Sequence, residues 1–405
     1  MTEADRENLS VERLGAVREA AERAREQGLP GRDRRERVIA TVATERLDQE
    51  SADVQERAIN KYFEGEIGSP KIHGMVDGLY VRQPGEGEVV SLIRERFPEK
   101  SIDELTQTYR MWLKSQEEED VTFPDPALAD VLKKVRWKFE EYIRFLVKRS
   151  AKHCEGSWFL AKRSRIWADA NRRSFSSKPR GPTLVSGERI FTKEHPTSAR
   201  AALYWVIHSV AEQTVGLDAE GKVKAPFLRL ALHGMVDSDV ADIVLGGGNI
   251  KPGKESRPAS ESVLSWFARD LVERIHQQGF QVGGREPVVA IHRLGQEGAE
   301  VFGREADGSI MSSIVERGKG LFSGGAGGIG LNHFRRGASF EIADVSGMNR
   351  SLVLPGFGDE FHTVQAEICN RLRIDKPSRE KLAGIFSEMM VAFSDRFAES
   401  SSSLD

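Results

Sequence analysis

ARAALYWVIHSVAEQT (199–214), FLRLALHG (227–234), ADIVLGGG (241–248), SVLSWFARDLVERIHQQG (262–279) and PVVAIHRL (287–294) follow one another through the middle of the chain. The first and fourth have the length and apolar spacing of helices. The other three are short apolar runs bounded by glycine and polar residues, as buried strands are. Their alternation predicts an α/β fold with a mixed central sheet flanked by helices. Downstream, HTVQAEI (362–368) reads as a last strand and SREKLAGIFSEMMVAFSDRF (378–397) as a last helix. Residues 398–405 form a polar tail that is expected to be disordered.

Working toward the N-terminus, PALADVLKKVRWKFEEYIRFLVKRS (126–150) sets Val135, Phe139, Tyr142 and Leu146 on one continuous helical face. It leads into SWFLAKRSRIWADANR (157–172), read as a strand. EIGSPKIHGMVDGLYV (66–81) is strand-like, and from about 80 to 125, through the acidic run EEED (117–120), the chain reads as a polar, loop-rich insertion. Residues 1–65 read as a helical extension. ERLGAVREAAERAREQ (12–27) aligns Leu14, Val17 and Ala21, Gly28, Pro30 and Gly31 break it, and a second charged stretch runs through 35–63. Its Arg and Glu residues suit a solvated face or the docking of a protein partner or second copy. The α/β domain is expected over 66–397.

The 405 residues are 39% hydrophobic, enough for a sizeable core. No apolar run reaches the ~18 residues of a membrane span, and MTEADRENLS is charged where a secretory signal is apolar. A soluble, cytoplasmic protein without membrane attachment is the expectation. Cys154 and Cys369 are too few for a disulfide framework or a zinc ribbon. A net charge of -3 offers polyanions no broad field, so no nucleic-acid partner is expected.

His233 closes the apolar run FLRLAL, where a strand's end in an α/β sheet gathers ligands. His73 stands in the same HGM context, and two such histidines with a carboxylate could share a metal. Glu141, with Glu140 an equal choice by periodicity, precedes the ADANR segment. There, Arg172 could grip a carboxylate through two parallel hydrogen bonds, with Asp169 and Asn171 fixing the loop. In HTVQAEI, alternation puts Thr363, Gln365 and Glu367 on one side. A carboxylate on a buried strand calls for acid/base work or a salt bridge. Gly325, Gly327 and Gly330 meet the G-x-G-x-x-G spacing of dinucleotide sites, but the run neither follows a first strand nor opens a good helix. It reads as a loop bordering the site, with His333 and Arg335 on the substrate side.

SWFLAKRSRIWADANR, LRLALHGM with ADIVLGGG, LFSGGAGGIGLNHFRRG and FHTVQAEICNRLR, in this order, resemble the N-formylglutamate amidohydrolase family, relatives of the zinc carboxypeptidase-like hydrolases. The resemblance implies zinc held by His73, Glu141 and His233, Glu367 as the catalytic carboxylate, and Arg172 as the clamp on the carboxylate of a small-molecule or peptide substrate. The implied reaction is hydrolysis of an amide bond in an N-acylated acidic amino acid or glutamyl-type substrate. ADANR departs from the family's usual aspartate-leucine-asparagine-arginine. Two other readings stand beside this one. The first is a non-catalytic binding protein on the same scaffold, and the second is a dinucleotide-dependent oxidoreductase built on the Gly325 run.

Overall fold

The computed structural model describes residues 59–68, 72–78, 97–117, 142–162, 196–235, 237–250, 257–305, 307–315, 338–343, 349–354 and 356–398, with Glu56, Arg335 and isolated positions between 87 and 132. In chain order the elements begin with β1 (Phe63–Glu66), β2 (Gly74–Gly78), α1 (Ile102–Glu117), α2 (Ile143–His153), β3 (Ser157–Ala161) and α3 (Pro196–Thr214). Next come β4 (Phe227–Gly234), β5 (Ile243–Asn249), α4 (Glu261–Gln277), β6 (Val289–Leu294), β7 (Ala299–Arg304) and β8 (Ile310–Val315). The chain then forms β9 (Ala338–Ala343), β10 (Asn349–Leu354), β11 (Phe361–Ile368), α5 (Asn370–Ile374) and α6 (Lys376–Ala398).

Nine strands make one mixed sheet in the order β1-β3-β2-β4-β11-β5-β6-β7-β8, and β9 and β10 form a separate antiparallel pair. The centre, β3-β2-β4-β11, is parallel. β1 runs antiparallel at one edge, β5 and β6 reverse direction together, and β7 and β8 close the other side as an antiparallel meander. The chain is therefore α/β with a mixed central sheet, as its alternating pattern predicts.

Strand alternation sends side chains to two cores. One face presents Val76, Leu228, Leu230, Leu232, Val364, Ala366 and Ile368 to α2, α4 and α6. On α4, Ser260 caps the first turn by accepting from Val263 N–H (3.3 Å), and Val263, Phe267, Leu271 and Ile275 supply the buried stripe. The opposite face sets Met75, Phe227, Ala231 and Phe361 against α3 and Phe357. A third apolar cluster, with Val89, Leu105, Trp112 and Leu132, surrounds α1.

Two local expectations are corrected. Residues 102–117 form the helix α1 where the sequence reads as loop-rich, because Leu105 and Trp112 find apolar partners in that small cluster. The helical face drawn through Tyr142 is broken there. Tyr142 adopts φ 70 and α2 begins only at Ile143. Its ring is 40% exposed and lies under the Arg379 guanidinium instead of in the core. Val135, Phe139, the N-terminal helices, the tail and the continuation of β3 into ADANR lie outside the described residues. Among the described residues no helix is long and apolar enough to cross a membrane.

Candidate functional site

Register brings together two residues that are distant in sequence. β4 and β11 pair in parallel from Phe227↔Phe361 to Gly234↔Ile368, which sets His233 directly opposite Glu367 near the C-terminal ends of both strands. Adjacent strands lie ~4.8 Å apart, so imidazole and carboxylate are neighbours on one face of the sheet. His233 is buried, and Glu367 accepts a hydrogen bond from the Gln365 amide at 2.6 Å. That bond spans two positions of one strand and fixes the carboxylate on the His233 side.

Behind the pair, on the same face, lies an ion pair with no solvent exposure. Arg229 donates through Nε and Nη2 to both oxygens of Asp77, the latter bond at 3.0 Å, joining β4 to β2. An ion pair this deep is kept by its two-point geometry, because either charge alone would be costly at zero exposure. On the other side, β5 sets Val244 opposite Glu367 and β6 sets Ala290 beside Val244. His292 follows two positions on, so it shares the face and is buried, and its neighbour on β5 is Gly246.

The ends of β4 and β11 are held by Arg373 on α5. Its guanidinium donates to the carbonyls of Ile368 (2.9 Å) and Met235 (3.0 Å) and to the Asn370 side chain. The group lies flat over Gly234, where a Cβ would come within 2.5 Å of the guanidinium carbon. Glycine after His233 is thus required by a close approach. Farther round, Asp242, just ahead of β5, accepts from Arg285 (2.7 Å), Val288 N–H (2.8 Å) and Arg371, fastening the start of β5 to α5.

Other residues singled out from sequence fall elsewhere. His73 precedes β2 instead of closing it. Its carbonyl accepts from Leu228 N–H at 2.9 Å, and Gly74 is level with Leu228. His73 is therefore level with Phe227, six positions from His233 along β4, or roughly 20 Å at strand rise. Two ligands of one zinc sit about 2 Å from the ion each, so His73 and His233 cannot share it. Burial lowers the His73 pKa, opposed by a raising hydrogen bond to the Pro226 backbone, as for a packed neutral histidine. The repeated HGM thus opens one strand and closes another.

Arg335 is also displaced from the expected substrate side. It donates to the Asp359 carbonyl (2.7 and 3.2 Å), just ahead of β11 and at the opposite end of that strand from Glu367. Glu141, Asp169, Asn171, Arg172, His333 and the Gly325–Gly330 run lie outside the described residues.

Among the described residues no group of three or more His, Cys, Asp or Glu is placed to hold a metal ion. The set His73, Glu141 and His233 does not fit zinc, because its two imidazoles stand at opposite ends of the sheet. Both cysteines are buried, and burial raises the thiol pKa of Cys154 and pushes that of Cys369 up to about 12. Neither is a thiolate at neutral pH.

Sequence reading missed Asp77, Arg229, His292 and Arg373 as parts of this region. Arg229 did carry a signal, since a charged residue within FLRLALHG must be partnered if the strand is central. The others depend on pairings that only the folded sheet reveals.

Fold and site together define a mixed-sheet α/β protein with a His–Glu pair at the carboxyl edge of its parallel strands. No family model and no curated protein matches the chain. Among solved structures, the crystal structure of gene product Atu2144 from Agrobacterium tumefaciens is similar, at 12% identity and a TM-score of 0.39, over 86% of this chain and 98% of that one. At that distance the likeness says nothing about function.

Proposed function

We propose that the chain is an amide hydrolase acting on an N-acylated acidic amino acid or a related glutamyl-type substrate, with His233 and Glu367 at its centre. The observation that carries the reading is their direct opposition at the C-terminal ends of β4 and β11. In open α/β sheets ligands collect at that edge. The four ordered segments that resemble the amidohydrolase family, HGM and Q-x-E among them, support the reaction type.

In this reading Glu367, held by Gln365, takes the proton of the attacking water and returns it to the leaving nitrogen. His233 lies one strand away and can hold a proton or polarise the carbonyl. Arg172 remains the proposed clamp for the substrate carboxylate. No step is routed through a metal, because the expected three-ligand set does not converge. Zinc at this edge would need His233, Glu367 and a donor from outside the described residues.

The test is hydrolysis of N-formyl- and N-acetylglutamate by the purified protein, with elemental analysis of the same sample. Turnover lost in Glu367→Gln supports the reading. Full turnover in that variant, or no hydrolysis of any N-acylated acidic amino acid by the wild-type chain, overturns it. Zinc near one per chain, lost in His233→Ala, would add the ion to the pair.

A further inference from the structure

β5 carries three consecutive glycines, and two of them have local reasons. A Cβ on Gly247 would come within 2.5 Å of the Arg293 side chain. Gly248, at φ 82, lies where the β5–β6 register shifts between Gly246 and Asn249. Gly246 comes before the shift, has no positive φ, and is level with His292 on β6. Continuing the β5–β11 register by one position sets it level with Gln365 on the other side. Gly246 therefore raises no side chain between the Gln365 amide and the His292 imidazole, on the face that carries Glu367. A glycine inside a strand marks close approach of a ligand or of another backbone.

The sheet is low between Glu367 and His292. β5 and β6 contribute only Val244, Gly246 and Ala290 there, and all three are buried. An anionic oxygen held over them is out of water, where a hydrogen bond to it is strong. His292 is itself buried, and its imidazole carries a ring N–H in either neutral tautomer. Two strand spacings of ~4.8 Å and two residue steps of ~3.3 Å put the Cα atoms of Glu367 and His292 about 12 Å apart. Side chains stand roughly perpendicular to a sheet, so their tips are separated by a similar distance.

We propose that His292 reads the far end of the substrate, binding the side-chain carboxylate of an N-acylglutamate whose scissile amide lies at His233 and Glu367. The assignment rests on the hydrolase reading and adds a specificity-determining residue to it. An extended glutamyl side chain places its carboxylate oxygens ~6 Å from the amide nitrogen, and a hydrogen bond of ~2.9 Å at each end brings the span to about 12 Å. An aspartyl side chain falls about 1.3 Å short.

The test is kcat/KM on N-formylglutamate, N-formylaspartate and N-formylnorvaline, the last matching the glutamyl carbon chain without its carboxylate. Wild type should prefer the glutamate substrate to both others. His292→Ala should lower its kcat/KM by roughly 10- to 100-fold, the worth of a hydrogen bond to a charged group, and leave N-formylnorvaline within a few-fold of wild type. His292→Gln, which returns an N–H donor, should recover part of the loss. Norvaline turnover in each variant reports an intact centre, and the wild-type order tests the length argument even where a variant does not fold. Equal losses on the glutamate and norvaline substrates, no loss on either, or a wild-type preference for aspartate overturns the assignment and leaves the hydrolase reading standing. Turnover of none of the three by wild type removes both.

Discussion

Arg229 of β4 and Asp77 of β2 form a two-point ion pair at zero solvent exposure, on the face of the sheet that carries His233 four positions farther along β4. The pair ties together the two central strands that approach the candidate site, and its energetics are asymmetric. Removing one partner strands the other charge in the interior, at a cost of about 3–5 kcal/mol, whereas replacing both with apolar side chains of similar size removes the desolvation penalty as well. Asp77→Leu and Arg229→Met are each expected to lower the urea midpoint strongly. The double variant should be more stable than either single one. Additive losses in the double variant would show that the two charges do not depend on each other.

Glu367→Gln keeps the shape of the side chain and removes the base, so hydrolysis should fall by roughly 10²–10⁴-fold, the usual contribution of a positioned general base. His73→Ala should leave turnover within a few-fold of wild type, because His73 sits six strand positions from His233 at the opposite end of the sheet. Steady-state kinetics on the two variants separate the ends of the sheet. A collapse of activity in His73→Ala with the fold intact would contradict the register.

How much of this could be read beforehand depended on the range of each interaction. The strands FLRLALHG and HTVQAEI and the helices around them are local patterns, and they appear as β4, β11, α3, α4 and α6. Glu367 was legible because a carboxylate on a buried strand stands out within its own few residues. The His73 assignment failed for a nonlocal reason. HGM is identical at 73–75 and 233–235, and only the pairing of Gly74 with Leu228 shows that one histidine precedes its strand while the other ends its own. Tyr142 fits a 3.6-residue period but takes φ 70, which no periodicity reports.

Gly234→Ala tests the support beneath the site. The added methyl would meet the Arg373 guanidinium at 2.5–2.9 Å, and Arg373 must then loosen its bonds to Met235, Ile368 and Asn370. A destabilisation of about 1–3 kcal/mol is expected from the forced shift. Because the displaced turn directly follows His233, turnover should drop as well. Combining Gly234→Ala with Arg373→Ala, which removes the obstructing group, should cost less than the sum of the two. Full additivity in chemical denaturation would mean that the contact does not bear on stability.

His362 supplies a pH dependence whose sign follows from its surroundings. It is buried on β11, its Nδ1 accepts from Ser260 N–H at 3.4 Å, and its ring stands edge-on to Phe393. Burial, with the nearby Arg335 charge as the second cause, holds its pKa at about 4 against an ordinary 6.5. The folded state keeps the ring neutral while the unfolded chain binds a proton below pH 6.5. Protonation therefore favours unfolding. The stabilising contribution is complete above that value and is lost as the pH falls toward 4. At 1.36 kcal/mol per unit, the full loss is on the order of 3 kcal/mol. Urea titrations of wild type and His362→Gln at pH 7.5 and 4.5 isolate this group from the carboxylates, which titrate in both proteins. Wild type should lose more stability than the variant between the two conditions. Equal losses would place the His362 proton on the folded chain and remove the burial argument.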